Sequence, residues 1–203
     1  ARDGEAQAGQ APLSYAQMRQ WFLWQMEPQG SAYHITGAFV LRGALDVPAL
    51  EAAWRDVIAR HAALRTVFRA DAGGHPHQQV LQSVEFGVHR IDLSDLPEPE
   101  RCARAEAAAR ACCETPFDLG EGPLLRVWLL RTGAGEHRLV VAMHHIVSDG
   151  WSLRVLVESF AERYRARHAG EGAPVEPVAA LQYTDYALWQ RQWMEAGEKD
   201  RQL

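Results

Sequence analysis

Met143-His144-His145-Ile146-Val147-Ser148-Asp149-Gly150-Trp151-Ser152 is the stretch of this 203-residue chain whose residue types could do chemistry. Two adjacent imidazoles end an apolar run, a carboxylate follows His145 by four residues, and a glycine leads into a segment of helical periodicity. Successive side chains on a strand point to opposite faces, so one histidine faces inward and the other a cleft. An imidazole titrates near about 6.5, whereas an α-amino group, near about 8, must lose a proton before it attacks a carbonyl. His145 is the candidate for taking that proton. Gly150 leaves room beside it for a thin substrate arm. Asp149, at a tight turn, reads as an anchor rather than a second base, and it requires a cation if buried.

Arg65, in Arg60-His61-Ala62-Ala63-Leu64-Arg65-Thr66-Val67-Phe68, could supply that cation. On a short strand over 64–69 its side chain points away from Leu64, Thr66 and Phe68, and its planar fork would clamp the Asp149 carboxylate and so fix the histidine loop. A metal site from His144, His145 and Asp149 is disfavoured, because the two rings diverge and no HExxH or CxxC pattern accompanies them. Ser148 and Ser152 read as turn and cap residues rather than nucleophiles, and Trp189 and Trp193 as helix packing.

The elements that must hold these groups can be traced in order. Ser14 and Gln17 form an S-x-x-Q capping box, flanked by Leu13 and Met18, for a helix over 15–26 that Pro28 and Gly30 end. Tyr33, Ile35, Phe39 and Leu41 alternate as a strand over 33–42. Asp46 and Pro48 open a helix carrying Leu50, Trp54, Val57, Ile58 and His61 on one face. Weaker strands at 77–82 and 84–91 precede an Ala-rich surface helix over 97–114. Strands at 124–131 and 138–143 follow, the second apolar throughout and therefore central in its sheet. Leu153, Leu156, Val157, Phe160 and Tyr164 repeat at helical spacing. A Gly- and Pro-rich linker at 169–179 then leads to a last helix with Tyr186, Trp189 and Trp193. This mixture predicts an α+β fold, a mixed sheet with helices packed on it.

Composition excludes several functions. A hydrophobic content of 47% supports a buried core, while a net charge of -5 leaves no basic excess to neutralise phosphates, so nucleic acid is not an expected partner. The longest uncharged apolar run, 139–143, falls far short of the ~20 residues that span a bilayer, and the N-terminus lacks the order of a signal peptide. No membrane partner and a cytoplasmic location are expected. Cys102, Cys112 and Cys113 form neither a disulfide framework nor a zinc pattern and read as thiols packed as small apolar groups.

The string HHIVSDGWS at 144–152 is similar to the HHxxxDG signature of condensation domains of non-ribosomal peptide synthetases. LSYAQMRQWFL at 13–23 resembles their opening SxAQxRxW motif, RHAALRTVF at 60–68 their RHxxLRTxF motif, and YTDYALW at 183–189 their YxDYAxW motif. Gln20 and Trp24 depart from the first pattern, standing where relatives often have Leu and Asp. The resemblance implies a chloramphenicol acetyltransferase-like lobe: a flexible segment at 1–12, the N-terminal lobe at 13–180, and a helix at 181–203 leading towards a C-terminal lobe that is not in this sequence.

Carried over by motif position, His145 is the catalytic histidine, in a tunnel between lobes. His144, Asp149 and Arg65 support it structurally, with Asp149 paired to Arg65, and Gly150, Trp151 and Ser152 border a substrate arm. No covalently bound cofactor is implied, because phosphopantetheine arms arrive as substrates on upstream and downstream peptidyl carrier proteins. An adjacent adenylation domain is a further implied partner. The reaction implied is transfer of an aminoacyl or peptidyl thioester to the α-amine of a carrier-bound amino acid, of the L-donor, L-acceptor type. His145 would act as general base, or by orienting the amine and stabilising the tetrahedral intermediate. The isolated half is expected to be inactive. The rival readings are a non-catalytic carrier-docking lobe and a coenzyme A-dependent acyltransferase of the same fold.

Overall fold

The computed structural model describes residues 9–172 and 181–198. Most of the linker at 169–179 therefore lies outside the described residues, as do residues 1–8. β1 (Gln10–Pro12) already pairs with β4 (Pro76–Val80), which pairs in turn with β3 (Thr66–Ala70) in a small antiparallel sheet. Order thus begins before Leu13: the partner of 10–12 is a strand more than sixty residues away, which no local pattern announces.

Ser14 caps α1 (Tyr15–Met26) through the full capping box. Its hydroxyl accepts from Gln17 N–H at 3.2 Å, while Gln17 Oε1 accepts from the Ser14 N–H at 3.0 Å. β2 (His34–Arg42) has the expected alternation, with Ile35, Phe39 and Leu41 half-buried and Thr36, Ala38 and Val40 exposed. Asp46 then caps α2 (Val47–Arg60) by accepting from Ala49 N–H at 2.9 Å. Residues 64 and 65 do not join β3, as the sequence suggested, but belong to a 3-10 turn, Ala62–Arg65.

The main sheet has the order β2-β7-β6-β5, with β5 (His89–Asp92), β6 (Leu125–Gly133) and β7 (Glu136–His144). β5 runs parallel to β6 and the other pairs are antiparallel, so the sheet is mixed and β7 lies between β2 and β6. That central place explains why β7 is apolar from Leu139 to Met143: both faces are covered. Leu139, Val141 and Met143 meet α2 and α4 (Gly150–His168), where Trp54 stacks on Phe160 at 4.5 Å between ring centroids. Val140 and Ala142 meet a second cluster built with Trp21 of α1 and Ala105 and Cys112 of α3 (Glu98–Glu114). Fully burying a side chain such as Leu50 or Val57 contributes on the order of 2 kcal/mol, so each face is held by several such residues.

α5 (Tyr183–Trp193) runs into a π-helical turn, Met194–Glu198, which ends the described chain. In α5 Ala187 is buried, but Tyr186, Trp189 and Trp193 are exposed, with Trp189 stacked on Trp193 and Tyr186 tilted against Trp189. The aromatic stripe thus packs on itself rather than into the core. Of the cysteines only Cys112 is buried, where loss of solvent pushes its thiol up to about 11; Cys102 is exposed and does not pack as an apolar group.

Candidate active site

β7 stops at His144 and the chain turns at His145. The register sets His144 opposite His34, and the His145 N–H donates to the Tyr33 carbonyl at 2.8 Å. His144 is 3% exposed and stands edge-on to Phe117 and His34. Its Nδ1 accepts from the Ile146 N–H at 3.1 Å, so the neutral ring carries its proton on Nε2. Burial, helped by the neighbouring His34 and His145, lowers its pKa to about 4. His144 is consequently buried and neutral at physiological pH.

His145 is exposed instead. It lines a cavity of about 200 Å³ with Gln17 and Gln20 of α1, Asp149, Ser152 and Tyr183 of α5. The alternation that divided the two rings therefore operates as expected: one enters the core and one reaches solvent. An accessible imidazole in such a recess can exchange a proton with a bound amine or donate to a carbonyl oxygen.

The expected Arg65–Asp149 clamp is not formed. Asp149 is exposed and caps α4, its Oδ1 accepting from the Ser152 N–H at 2.7 Å and the Ser152 hydroxyl at 2.6 Å. These bonds, hydroxyl first, hold its carboxyl below the usual range, with a smaller contribution from His145. Arg65 lies in the 3-10 turn rather than on a strand, so its side chain turns back. It donates to the carbonyls of Ile58, at 3.2 Å, and Ala59, at 3.4 Å, in the last turn of α2, and to those of Leu81 and Gln82. Those helix-end carbonyls lack intrahelical partners, and a cation there is favoured. Arg65 thus secures the α2 end, not the histidine loop.

The loop is held by other groups. Gln17 Nε2 donates to the Ile146 carbonyl and to Gln78 Oε1, both at 3.4 Å, and the Ser148 hydroxyl donates to the His144 carbonyl at 3.2 Å. Sequence reasoning gave Gln17 only a capping role and Gln20 none, yet Gln20 Nε2 lies 3.4 Å from His145 Nδ1. Tyr183, another residue given no role, hydrogen-bonds the Ser14 hydroxyl at 2.9 Å and so brings α5 to the cavity. The signal for Gln17 and Tyr183 was that both occupy matched motif positions, whereas Gln20 stands at a position where the chain departs from the pattern.

Gly150 is the first residue of α4, and a Cβ placed on it would meet no atom within 4 Å. Its backbone φ is not positive, so among the described residues neither strain nor packing calls for glycine. Trp151 is 67% exposed beneath the Arg154 guanidinium, and Ser152 is engaged by Asp149. No cluster of three or more metal-ligating side chains occurs among the described residues, and no described helix is long and apolar enough to cross a membrane.

A mixed sheet sandwiched by helices, with a solvent-facing histidine at the end of its central strand, is the chloramphenicol acetyltransferase-like fold. The chain belongs to the condensation domain family, which it matches over residues 7–202 and whose members in known relatives are parts of non-ribosomal peptide synthetases. One protein of the linear gramicidin synthase of Brevibacillus parabrevis is 40% identical over 194 residues, 96% of this chain and 2% of that protein. The first condensation domain of the CDA synthetase superposes with a TM-score of 0.81 at 25% identity, over 96% of this chain and 49% of that one. A structure of the complex of the X-domain and OxyB from teicoplanin biosynthesis gives a TM-score of 0.83 at 34% identity, over 98% of this chain and 41% of that one. The chain therefore spans less than half the length of these solved chains and a small fraction of the synthase.

Proposed function

We propose that this chain is the N-terminal lobe of a domain that joins two carrier-bound units. The α-amine held by a downstream peptidyl carrier protein attacks the thioester carbonyl of an aminoacyl or peptidyl group on an upstream one. A C–N bond forms, the C–S bond breaks, and the phosphopantetheine sulfur leaves with the proton the amine gives up. His145 is the catalytic residue, as base for that proton or as donor to the tetrahedral oxygen. His144 orders the loop from within, Asp149 starts α4, and Arg65 anchors the preceding segment. Gly150, Trp151 and Ser152 border a phosphopantetheine arm, in keeping with the open space at Gly150. The observation that carries this reading is the split between neighbours: His144 buried and neutral, His145 exposed in a recess.

The first motif and the Val147-Ser148 filling of the signature favour an L-configured donor and acceptor. A C-terminal lobe would supply the other tunnel wall, and an adenylation domain would load the acceptor carrier. The reading is tested by offering loaded donor and acceptor carriers to residues 1–203 alone and to the same residues joined to the C-terminal lobe of a condensation domain. Amide is expected only from the longer protein; full turnover by residues 1–203 would refute the need for a second lobe, and no product from either would refute the chemistry.

A docking lobe is the second reading, favoured by the solved relative whose X-domain is complexed with OxyB. The exposed ladder of Tyr186, Trp189 and Trp193 is an apolar face of the kind such a partner covers. Partner binding without amide formation in the same experiment would support it.

A further inference from the structure

We infer that the apolar cavity beside the histidine loop is a side-chain subsite, taking the aliphatic or phenyl side chain of one of the two carrier-bound amino acids. The inference rests on the amide-forming reading and adds a specificity pocket to it. This cavity, of about 180 Å³, is separate from the one that holds His145, but Val147, Ser148 and Ser152 line both. A single turn of chain is their common wall. A substrate whose reacting atoms lie at His145 can therefore pass a side chain around Ser148 and Ser152 into the neighbouring space.

The lining decides what that side chain must be. Leu64, Met143, Trp151 and Val155 present hydrocarbon, and among the described residues no carboxylate, lysine or arginine lines the cavity. The hydroxyls of Ser148 and Ser152 are already engaged by the His144 carbonyl and by Asp149. The titratable group in the lining is His61; burial first, and then the nearby Arg60 and Arg163, lower its pKa, so it is neutral at physiological pH. A charged side chain would lose water and find no counter-charge. Size sets the upper limit: an apolar cavity of about 150 Å³ holds benzene, so this one suits a leucyl or phenylalanyl side chain better than an indole.

Val155 is on the outer part of α4, 38% exposed and outside the groups assigned to chemistry, so Val155→Trp can fill the cavity without emptying the core. The test uses the synthetase that contains this chain, with glycine, alanine, leucine and phenylalanine varied first on the donor carrier against a fixed acceptor and then the reverse. Val155→Trp should lower kcat/KM for leucine and phenylalanine relative to glycine by about tenfold or more in one of the two arms, the scale of a filled apolar pocket. The arm that responds identifies which substrate the cavity serves. An equal loss for every amino acid, or no change in either arm, would overturn the inference while amide formation by the wild type still upheld the reading beneath it.

A second measurement does not require turnover. In the 203-residue chain, titration with leucyl- and glycyl-pantetheine thioethers is followed at the methyl resonance of Met143. A shift with the leucyl compound alone, lost in Val155→Trp, is expected; identical responses to both compounds would reject the subsite even if no amide were ever formed.

Discussion

Nε2 of Gln20 on α1 lies 3.4 Å from Nδ1 of His145, while Oε1 of the same amide is buried with no hydrogen-bond partner among the described residues. An amide N–H can only donate, so in this arrangement the lone pair of Nδ1 is used and the neutral ring carries its proton on Nε2. His145 then offers a donor, suited to the oxygen of a tetrahedral intermediate. A half-turn of the amide would set its oxygen against an Nδ1–H and leave Nε2 with a lone pair for proton removal. One side-chain rotation thus separates the two roles.

Gln20→Leu removes the orphaned oxygen and keeps the volume. A buried polar atom without a partner costs about 1–3 kcal/mol, so the variant should be more stable by about 1 kcal/mol once the weak contact to His145 is also lost. Condensation should fall several-fold, since the Tyr33 carbonyl still holds the His145 backbone but the Gln20 amide no longer selects its ring tautomer. Urea unfolding and carrier-based turnover measure both; a lower midpoint would show that the Gln20 contact stabilises more than its orphan costs.

The buried ring of His144 makes stability depend on pH. Its folded pKa, about 4, lies below the ordinary 6.5, so protons favour the unfolded chain. Its contribution, on the order of 3 kcal/mol at most, is complete above about pH 6.5 and is lost as pH falls towards 4. His61 and His137, also lowered by burial, act in the same direction. Asp149, with a lowered carboxyl pKa, acts in a different window, below its ordinary 3.8. His144→Asn keeps an acceptor for the Ile146 N–H and should flatten the fall in urea midpoint between pH 6.5 and 4. Superimposable curves for variant and wild type would contradict the assignment.

Arg65 and Asp149 should act independently. Arg65→Ala forfeits charge-assisted bonds to carbonyls of α2 and the 81–82 segment, costing about 2 kcal/mol, and Asp149→Ala forfeits a helix cap worth about 1 kcal/mol. With no shared partner, the double variant should equal the sum to within about 0.5 kcal/mol. A coupling above about 1 kcal/mol in the double-mutant cycle would restore the ion pair.

What could be read from the residues was what local geometry fixes. Ser14 and Gln17 cap a helix through bonds three residues apart, and the period of two along β2 and β7 sends His144 and His145 different ways. Arg65 was misplaced because His61 and the two alanines after it carry no alternation that separates a 3-10 turn from a strand. The pairing of 10–12 with β4 and the approach of Gln20 to His145 depend on contacts across the chain. Polar residues on a helix ordinarily mark its wet side, so nothing local shows that Gln20 is buried.

His145→Ala, in the domain that contains this chain and with loaded donor and acceptor carriers, bears most directly on the central claim. The ring is exposed and its backbone bond to Tyr33 survives the change, so the melting temperature should stay within about 2 °C of wild type. Amide formation should fall by about a hundredfold or more. Turnover within a few-fold of wild type, from a variant that folds normally, would contradict a chemical role for this histidine.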